Sequence, residues 1–575
     1  LLSNRKGGFF IGEYGSKYRG LFVNDGDEIY KILDKIHVDG KIQRIVHMGS
    51  SVQIEREGHN ERMFMPQGMN GLVVEASDPC KFELFFDIHK AYDFREWGRE
   101  YHIEDDGKHL IVCFTMEGDD SYEMFVVICG EERNEMNEWV EEYYAVDEQR
   151  KSGEARRFAF KGCAVKGQKL VVSASRNKEE ALRVADELYG EIHHFRLMGE
   201  KSTHIAMQRP LQLNAHDEKK IALFHAERGL DDLLVLKEHM GVFAGHPWFF
   251  QIWARDEAIS LGALILQKEY TLVKHILMRQ LQRVDETGRI PNRYPGTELG
   301  SADGVLWVYV RFFMLLEALQ KDSVLEKYFS ENELQQCYDK IEVYFNALSM
   351  HYGHEGLLTN KAQETWMDTL FEGDDREGKR VEINAMYLYI CERLHERTKN
   401  GKYKRMSDDI RRLFHEEFLQ EDILCDGIGD TTLRPNIFMA YYVVPDLFDR
   451  DTWRRIFDKA LSALWLDWGG LSTIDKENPL FTPFDTGEEV KSYHRGNSWY
   501  WINNLVALCL GRLDRDYYWQ YIEKIIDASS HDLLWLGLMG CASEVSSAQE
   551  QRAEGCLNQA WSDAMYVELM YGLYK

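Results

Sequence analysis

The sequence predicts a two-domain β + α chain: an N-terminal antiparallel β-sandwich followed by a C-terminal toroid of six helical hairpins. Three observations carry that prediction. At 575 residues the chain is too long for one ordinary core. Its patterning changes near residue 200, from short period-two apolar runs to almost unbroken helical periodicity. The helical part comes in pairs of segments divided by long loops, and several segments, such as DGVLWVYVRFFMLLEALQ, are apolar on nearly every face, as a helix in an inner ring must be.

The elements follow in order. Before residue 200 the runs GLFVND, KIQRIVHMG, SVQIERE, GLVVEAS, KFELFFDIH, HLIVCFTME, YEMFVVICG, FAFKGCAV and QKLVVSAS alternate with turn signals such as NDGD, VDGK and EDDGKH. That spacing is the mark of a sandwich. The acidic run NEMNEWVEEYYAVDEQR has no clear strand alternation and reads as a helix or an exposed excursion. NKEEALRVADELYGEIHHF reads as a helix that closes the first domain, residues 1–200. Residues 201–215 are expected to be a linker and 216–575 the helical domain. Its helices are predicted at 216–238, 256–268, 270–285, 303–320, 324–347, 381–398, 403–419, 434–444, 450–464, 496–511, 514–527 and 557–573. The loops GRIPNRYPGTELGSADG, HEGLLTNKAQETWMDTLFEGDDREG and GGLSTIDKENPLFTPFDTGEEVKSYHRG separate the pairs. Loops this long in a compact domain are usually functional, and in a toroid those of the inner helices converge at one mouth.

Composition excludes several classes of function. The chain is 44% hydrophobic and 29% charged, with 10 prolines and no low-complexity tract, which argues for a fully folded protein. Its 69 Lys and Arg against 96 Asp and Glu leave a net charge of −27, which rules out a nucleic-acid binder working through a broad basic face. No apolar run approaches the roughly 18 residues of a membrane span. LLSNRKGGFF does not read as a charged n-region followed by an apolar h-region, so no signal peptide is expected; Leu1 is not an initiator Met, so one or more residues are expected before it. The ten cysteines form no CxxC pair, and no His cluster has metal-ligand spacing. Most lie in apolar segments such as LIVCF and VALCL and read as reduced core residues of a cytoplasmic protein, without zinc or disulfides. His193–His194 reads as a surface or packing pair. The aromatic load, 14 Trp, 29 Tyr and 29 Phe, suits a carbohydrate site in so acidic a chain, although most aromatics fill cores.

Four loops bring acidic and aromatic residues together. PWFFQIWARDEAIS holds Trp248, Trp253, Arg255 and Asp256, and SADGVLW holds Asp303 and Trp307. ETWMD holds Glu364, Trp366 and Asp368, and YHRGNSWYWINN holds His494, Arg495, Trp499 and Trp501. A fifth, GLMGCASEVSSA, places Glu544 among small residues. A lone Trp beside a charge is usually a packing anchor, and an Arg-Asp pair at a helix start is usually a cap. Five such loops at the same position of successive hairpins point to one site.

On these residues the chain resembles the glucosidase part of the glycogen-debranching family, in its short archaeal or bacterial form. The opening LLSNRKGGFFIGEYGSKYRGLFV is similar to that family's N-terminal signature, with Gly7–Gly8 and Tyr18-Arg19-Gly20-Leu21. The helical half matches at WARDEAIS, GRIPNRY, SADGVLW, ETWMDT, HRGNSWYW and GCASE. The Trp-x-Arg-Asp and Arg-Gly-x-x-Trp elements also occur in glucoamylases, trehalases and processing glucosidases, so they specify the clan more than the linkage. The resemblance implies a β-sandwich followed by an (α/α)6 barrel, and hydrolysis with inversion. ASEVSSAQEQRAEG lacks the aspartate-rich continuation of bacterial members, and GEYGSK lacks their repeated small-residue loop, which leaves substrate detail open.

An inverting glycosidase needs one carboxyl held protonated and another ionised. Asp368 is the expected acid, desolvated by Trp366-Met367. Glu364 lies four residues earlier, and if the stretch is helical it shares a face with Asp368 and raises its pKa further. Asp256 competes, but the adjoining Arg255 is expected to keep it ionised. Arg255–Asp256 therefore reads as a clamp on the terminal glucose, as in the resembling glucoamylases. Glu544 is the base by resemblance and by its loop position. Trp253, Trp307, Trp366, Trp499 and Trp501 are expected around the sugar, with one or two of the last four in the core. His494 and Arg495 would bind the aglycone or orient the base, and Asp303 would bind a hydroxyl. Neither a metal nor an organic cofactor is called for, since both steps are side-chain chemistry.

The leading function is an exo-acting amylo-α-1,6-glucosidase that removes glucosyl stubs from branched α-glucans. The length leaves no room for the glucanotransferase domain that eukaryotic relatives add. The same chemistry on α-1,4 chain ends, trehalose or a small glucoside stays open. A sugar epimerase or isomerase on this toroid would need a His base where these motifs are acidic. A non-catalytic glycan-binding module would need neither Asp368 nor Glu544. The oligomeric state is not legible.

Overall fold

A computed structural model of the chain describes residues 1–575 apart from 13, 27, 238, 295 and 297–299. Pro295 and Thr297–Leu299 of the predicted 288–304 loop therefore lie outside the described residues, as does Glu13 of GEYGSK.

Alternating apolar runs joined by turns satisfy their backbone groups by antiparallel pairing, and residues 2–175 do so in one 13-stranded sheet. Two 20-residue strands, Gly71–Lys90 and Arg156–Ser175, form its spine, with Val172 opposite Leu72 and Phe160 opposite Phe86. Their inward residues, among them Leu72, Val74, Leu84, Phe86 and Val172, enter one core with Phe10, Ile36, Val112 and Phe114 from strands on either side. The opposite face carries Val73, Ile111, Val127 and Val171, which the helix Lys178–Gly190 covers with Ala181, Val184, Ala185 and Leu188.

Two sequence expectations are corrected in this part. The run from 132 is a strand, Glu132–Tyr143, paired with the first half of Arg156–Ser175, followed by the short helix Ala145–Arg150. Most of its side chains are exposed on both faces, so no buried face imposes the period-two alternation that betrays a strand. Residues 201–211 are not a linker but the second half of the helix Ile192–Leu211, because no proline interrupts the helix before Pro210. The chain divides into two compact units, Leu1–Gln212 with Asp231–His239, and Leu213–Leu230 with Met240–Lys575. The short return to the first unit is held by Val235 bridging Lys6 and by the Leu236 N–H donating to the Arg5 carbonyl.

The second unit is a closed ring. Its inner helices are Ala254–Leu266, Gly304–Lys321, Val381–Thr398, Asn436–Val443, Tyr500–Asp514 and Ala560–Tyr574; each packs on the next and the last packs on the first. The outer helices are Asp217–Asp232, Tyr270–Gln282, Glu331–Tyr352, Gly401–Leu413, Arg450–Leu464 and Trp519–Trp535. Burial separates the two sets. Residues 254–265 are sealed without a break, whereas Gly401–Leu413 buries only Tyr403, Ser407 and Ile410. One buried polar cluster inside the ring is well paired, as burial favours. Arg311 donates to the Tyr442 hydroxyl, to Glu568 and to the Ile259 carbonyl, each at 2.7 Å. Gly262 makes room for that cluster, since a Cβ there would lie 1.9 Å from Glu568 Oε1.

Five inner helices are each followed by an outer one running back, and the outer Asp217–Asp232 precedes the first inner helix, so the six inner N-termini share one end. Three inner helices are entered from two-residue strands: Ile252–Trp253 pairs with Arg293–Tyr294, Ser498–Trp499 with Val545–Ser546, and Gly245–His246 with Asn558–Gln559. This pairing is why the helix predicted from 496 begins at Tyr500. Among the described residues no helix is long and apolar enough to cross a membrane.

Candidate active site

The predicted motifs meet at the end where the inner helices begin. Arg255 and Asp256 sit in the first turn of Ala254–Leu266, where consecutive side chains point about 100° apart. Arg255 Nε donates to Asp303 Oδ1 at 2.8 Å, and Nη1 donates to Asp368 Oδ2 at 3.2 Å. Asp303, at the start of the next inner helix, is wholly buried and also accepts from Ser301 Oγ at 2.8 Å. The guanidinium thus bridges two carboxylates and leaves Asp256 aside. Asp256 Oδ1 instead accepts from Gln559 Nε2 at 3.2 Å. Burial, helped by the charges of Asp368 and Glu544 and opposed by Arg255, pushes the Asp256 carboxyl up to about 8. Asp256 was expected to stay ionised beside Arg255; burial outweighs the cation, which still pulls the carboxyl down.

Burial also holds the Asp368 carboxyl above its ordinary range, against the pull of Arg255 and with a push from Asp303. Its side chain nevertheless keeps 34% exposure. Access without bulk solvation is what a recess provides. Glu364 takes no part in this. Residues 361–370 are not helical, so Glu364 and Asp368 share no face. Glu364 pairs with Arg289 at 2.6 Å and accepts from the Lys361 N–H at 2.7 Å.

Glu544 is buried. Its N–H donates to the Cys556 carbonyl at 2.7 Å, and its Oε2 accepts from the Cys556 N–H at 2.8 Å. The Tyr493 hydroxyl donates to Oε1. Burial and the charges of Glu544 and Asp368 hold the Tyr493 phenol far above its usual range, so it remains a donor. Gly555 closes the arrangement at φ +66°, and a Cβ there would lie 2.3 Å from Glu544 Oε2.

Five aromatic rings form one cluster at this end of the ring. Trp366 meets His494, Trp499 and Trp501 edge-on, with centroids 5.0–5.6 Å away. His494 stacks on Trp499 at 5.1 Å, and Trp501 stacks on Trp561 at 5.1 Å. Trp499 adjoins Glu544 because its strand pairs with 545–546. Trp366 Nε1 donates to Asn436 Oδ1 at 2.7 Å, and Trp499 Nε1 donates to the Tyr493 carbonyl at 2.8 Å. Trp307 stands apart, packed on Tyr442 and beneath Arg311 at the ring centre. Trp253 lies at its helix start against Phe249 and Arg293.

Asp303 and Arg495 are both sealed; Asp303 accepts from Arg255 and Ser301, and Arg495 donates to Thr369. Sequence reasoning missed Tyr493, Asn436, Gln559 and Trp561. The signal for Gln559 is its place directly before an inner-helix Ala, matching Trp253-Ala254. Among the described residues no cluster of three His, Cys, Asp or Glu is placed to hold a metal ion.

The family model described as amylo-alpha-1,6-glucosidase matches residues 222–568, more than half of the chain. The chain belongs to the amylo-α-1,6-glucosidase family. A bacterial glucoamylase complexed with acarbose has a similar structure, with a TM-score of 0.59 at 13% identity over 99% of this chain and 94% of that one. The fold is therefore glucoamylase-like, with an (α/α)6 barrel after the β domain. No curated protein matches the sequence closely enough to count as a relative. Family and fold together make this chain a glucoamylase-like glycosidase.

Proposed function

We propose that this glycosidase is an inverting, exo-acting α-glucosidase that removes α-1,6-linked glucosyl stubs from branched glucans, with Asp368 as general acid and Glu544 as general base. The observation that carries the reading is the meeting of Asp368, Asp256 and Glu544 at one mouth of the ring, where the charges of the first and last raise the second. Membership of the family supports the linkage.

Asp368 is preferred to Asp256 as the acid because it alone of the two keeps a third of its side chain exposed. Its raised proton affinity keeps it ready to donate to the glycosidic oxygen as the anomeric C–O bond breaks and its electrons pass to that oxygen. Arg255, 3.2 Å from Oδ2, then stabilises the carboxylate that forms. Glu544 takes a proton from a water whose oxygen bonds to the anomeric carbon from the opposite face, giving β-glucose. Asp256, protonated near neutral pH, and Arg255 clamp the glucose hydroxyls, and Trp366 and Trp499 wall the ring. The ten free cysteines suit a reducing, cytoplasmic setting.

Glucose release from panose, isomaltose, maltose and trehalose, assayed side by side, tests the reading. Panose and isomaltose should be the better substrates. Preference for maltose would make the enzyme glucoamylase-like, preference for trehalose would make it a trehalase, and release from none would overturn the proposal.

A further inference from the structure

Asp368 belongs to a segment with little backbone structure of its own. Between the strand Leu357–Leu358 and the helix starting at Val381 there are only isolated bridges: Asn360 to Gly378, Phe371 to Asp374, and Arg380 to Gly427. A carboxyl that must meet a glycosidic oxygen within a fraction of an ångström needs such a segment fixed from outside. Upstream, Arg376 Nη1 donates to Thr365 Oγ1 at 2.7 Å, and Asn436 accepts from Trp366.

The downstream fixing centres on Arg495. Its Nη2 donates to the Thr369 carbonyl at 2.8 Å and its Nη1 to Thr369 Oγ1 at 3.1 Å, while Nε pairs with Asp374 Oδ2 at 2.7 Å. Arg434 holds the same Asp374 oxygen at 2.8 Å and donates to the His494 carbonyl at 2.9 Å. With 1% exposure, Arg495 directs its fork at the residues that follow Asp368.

The order of donors continues into the Trp wall. Thr369 Oγ1 accepts from Arg495 and lies 2.9 Å from His494 Nδ1. Burial and the charges of Arg495 and Arg434 keep His494 neutral. The neutral ring shares one hydrogen bond with Thr369 Oγ1 through Nδ1. That ring stacks on Trp499. One chain of hydrogen bonds, Arg495 to Thr369 to His494, ties the acid segment to the aromatic wall.

We infer that Arg495 and Thr369 are positioning residues for the general acid: Arg495 sets the place of Asp368 through the carbonyl and hydroxyl of Thr369, and that hydroxyl links the segment to His494. Arg495 is thereby assigned away from the sugar. The inference rests on Asp368 being the acid.

Thr369→Val keeps the shape and removes the hydroxyl; Thr369→Ser keeps the hydroxyl; Arg495→Lys keeps the charge and loses the fork. Each is assayed on panose across pH, with thermal unfolding alongside and Asp368→Asn as control. Thr369→Val should lose about tenfold in kcat with KM within about twofold of wild type, and Thr369→Ser should restore it. A loosened Asp368 is better hydrated, so its proton affinity falls, and the alkaline limb of kcat/KM should move down by about half a pH unit. The other titratable and charged groups facing it, Arg255, Asp303, Asp256 and Tyr493, are untouched. Arg495→Lys should lose kcat at least as strongly. A raised KM with kcat kept in Arg495→Lys would make Arg495 a sugar ligand and overturn the inference, as would Thr369→Val with wild-type kcat and limb. If Arg495→Lys does not fold, the Thr369 pair decides alone. Turnover kept in Asp368→Asn defeats the acid assignment itself, a result separate from either.

Discussion

Replacing Asp256 by Asn should stabilise the helical unit, and the gain should grow with pH. The Asp256 carboxyl is raised by burial from 3.8 to about 8 in the folded protein. An unfolded chain ionises it above about pH 4, whereas the folded one keeps its proton to about pH 8. Between those limits the folded state binds more protons than the unfolded state, so stability falls as pH rises; above pH 8 the loss levels off. About four units at about 1.4 kcal/mol each set a ceiling of about 6 kcal/mol, and of about 4 kcal/mol at pH 7. Structural relaxation and entry of water reduce such costs to a few kcal/mol in practice. Asn has the same shape, keeps an acceptor for Gln559 and carries no charge. Urea unfolding followed by tryptophan fluorescence reads mainly this unit, which holds twelve of the fourteen tryptophans. The midpoints of wild type and variant should nearly coincide near pH 4 and then separate, with the variant higher, until about pH 8. A variant less stable at pH 8, or a gap that does not widen, would mean that Arg255 outweighs burial and that Asp256 is ionised. Activity should move the other way, with KM raised by loss of the hydroxyl clamp.

Asp368→Asn and Glu544→Gln should each lose on the order of a hundredfold or more in kcat with KM nearly kept, because each removes a proton transfer and preserves shape. Turnover lost in Asp256→Asn but not in Asp368→Asn would move the acid to Asp256. Proton NMR of early product should show β-glucose, and a structure with bound substrate should place the Asp368 and Glu544 carboxyls about 6.5–9.5 Å apart; α-glucose as first product would exclude inversion. Gly555→Ala should lose about tenfold or more in kcat, since its Cβ would meet Glu544 Oε2 at 2.3 Å and its φ is +66°. Wild-type kcat in that variant would show that the position of Glu544 is not critical.

The helices were legible because both kinds leave a mark on the chain: apolarity on nearly every face in Gly304–Lys321, and one apolar face with a charged one in Arg450–Leu464. The strand Glu132–Tyr143 was not legible, because an exposed edge strand takes its identity from its partner rather than from its own pattern. The start of Tyr500–Asp514 was misplaced for a related reason. Ser498 and Trp499 pair with residues more than forty positions later, at Val545–Ser546, and no local signal reports such a partner.

The residue types of the site could be read from the sequence, since a carbohydrate pocket needs carboxyls beside aromatic rings and those combinations stand out at Arg255–Asp256, Trp366–Asp368 and Trp499. Tertiary structure alone decided how they divide the work. Arg255 is covalently next to Asp256 but spends its charge on Asp303 and Asp368, 48 and 113 residues away. Glu364, four residues from Asp368, turns to Arg289. Proton affinity follows burial and the distance between charges in space. Neighbours on a helix point about 100° apart, so sequence supplies the ionisable groups of this site, and the closing of the ring determines which of them hold protons.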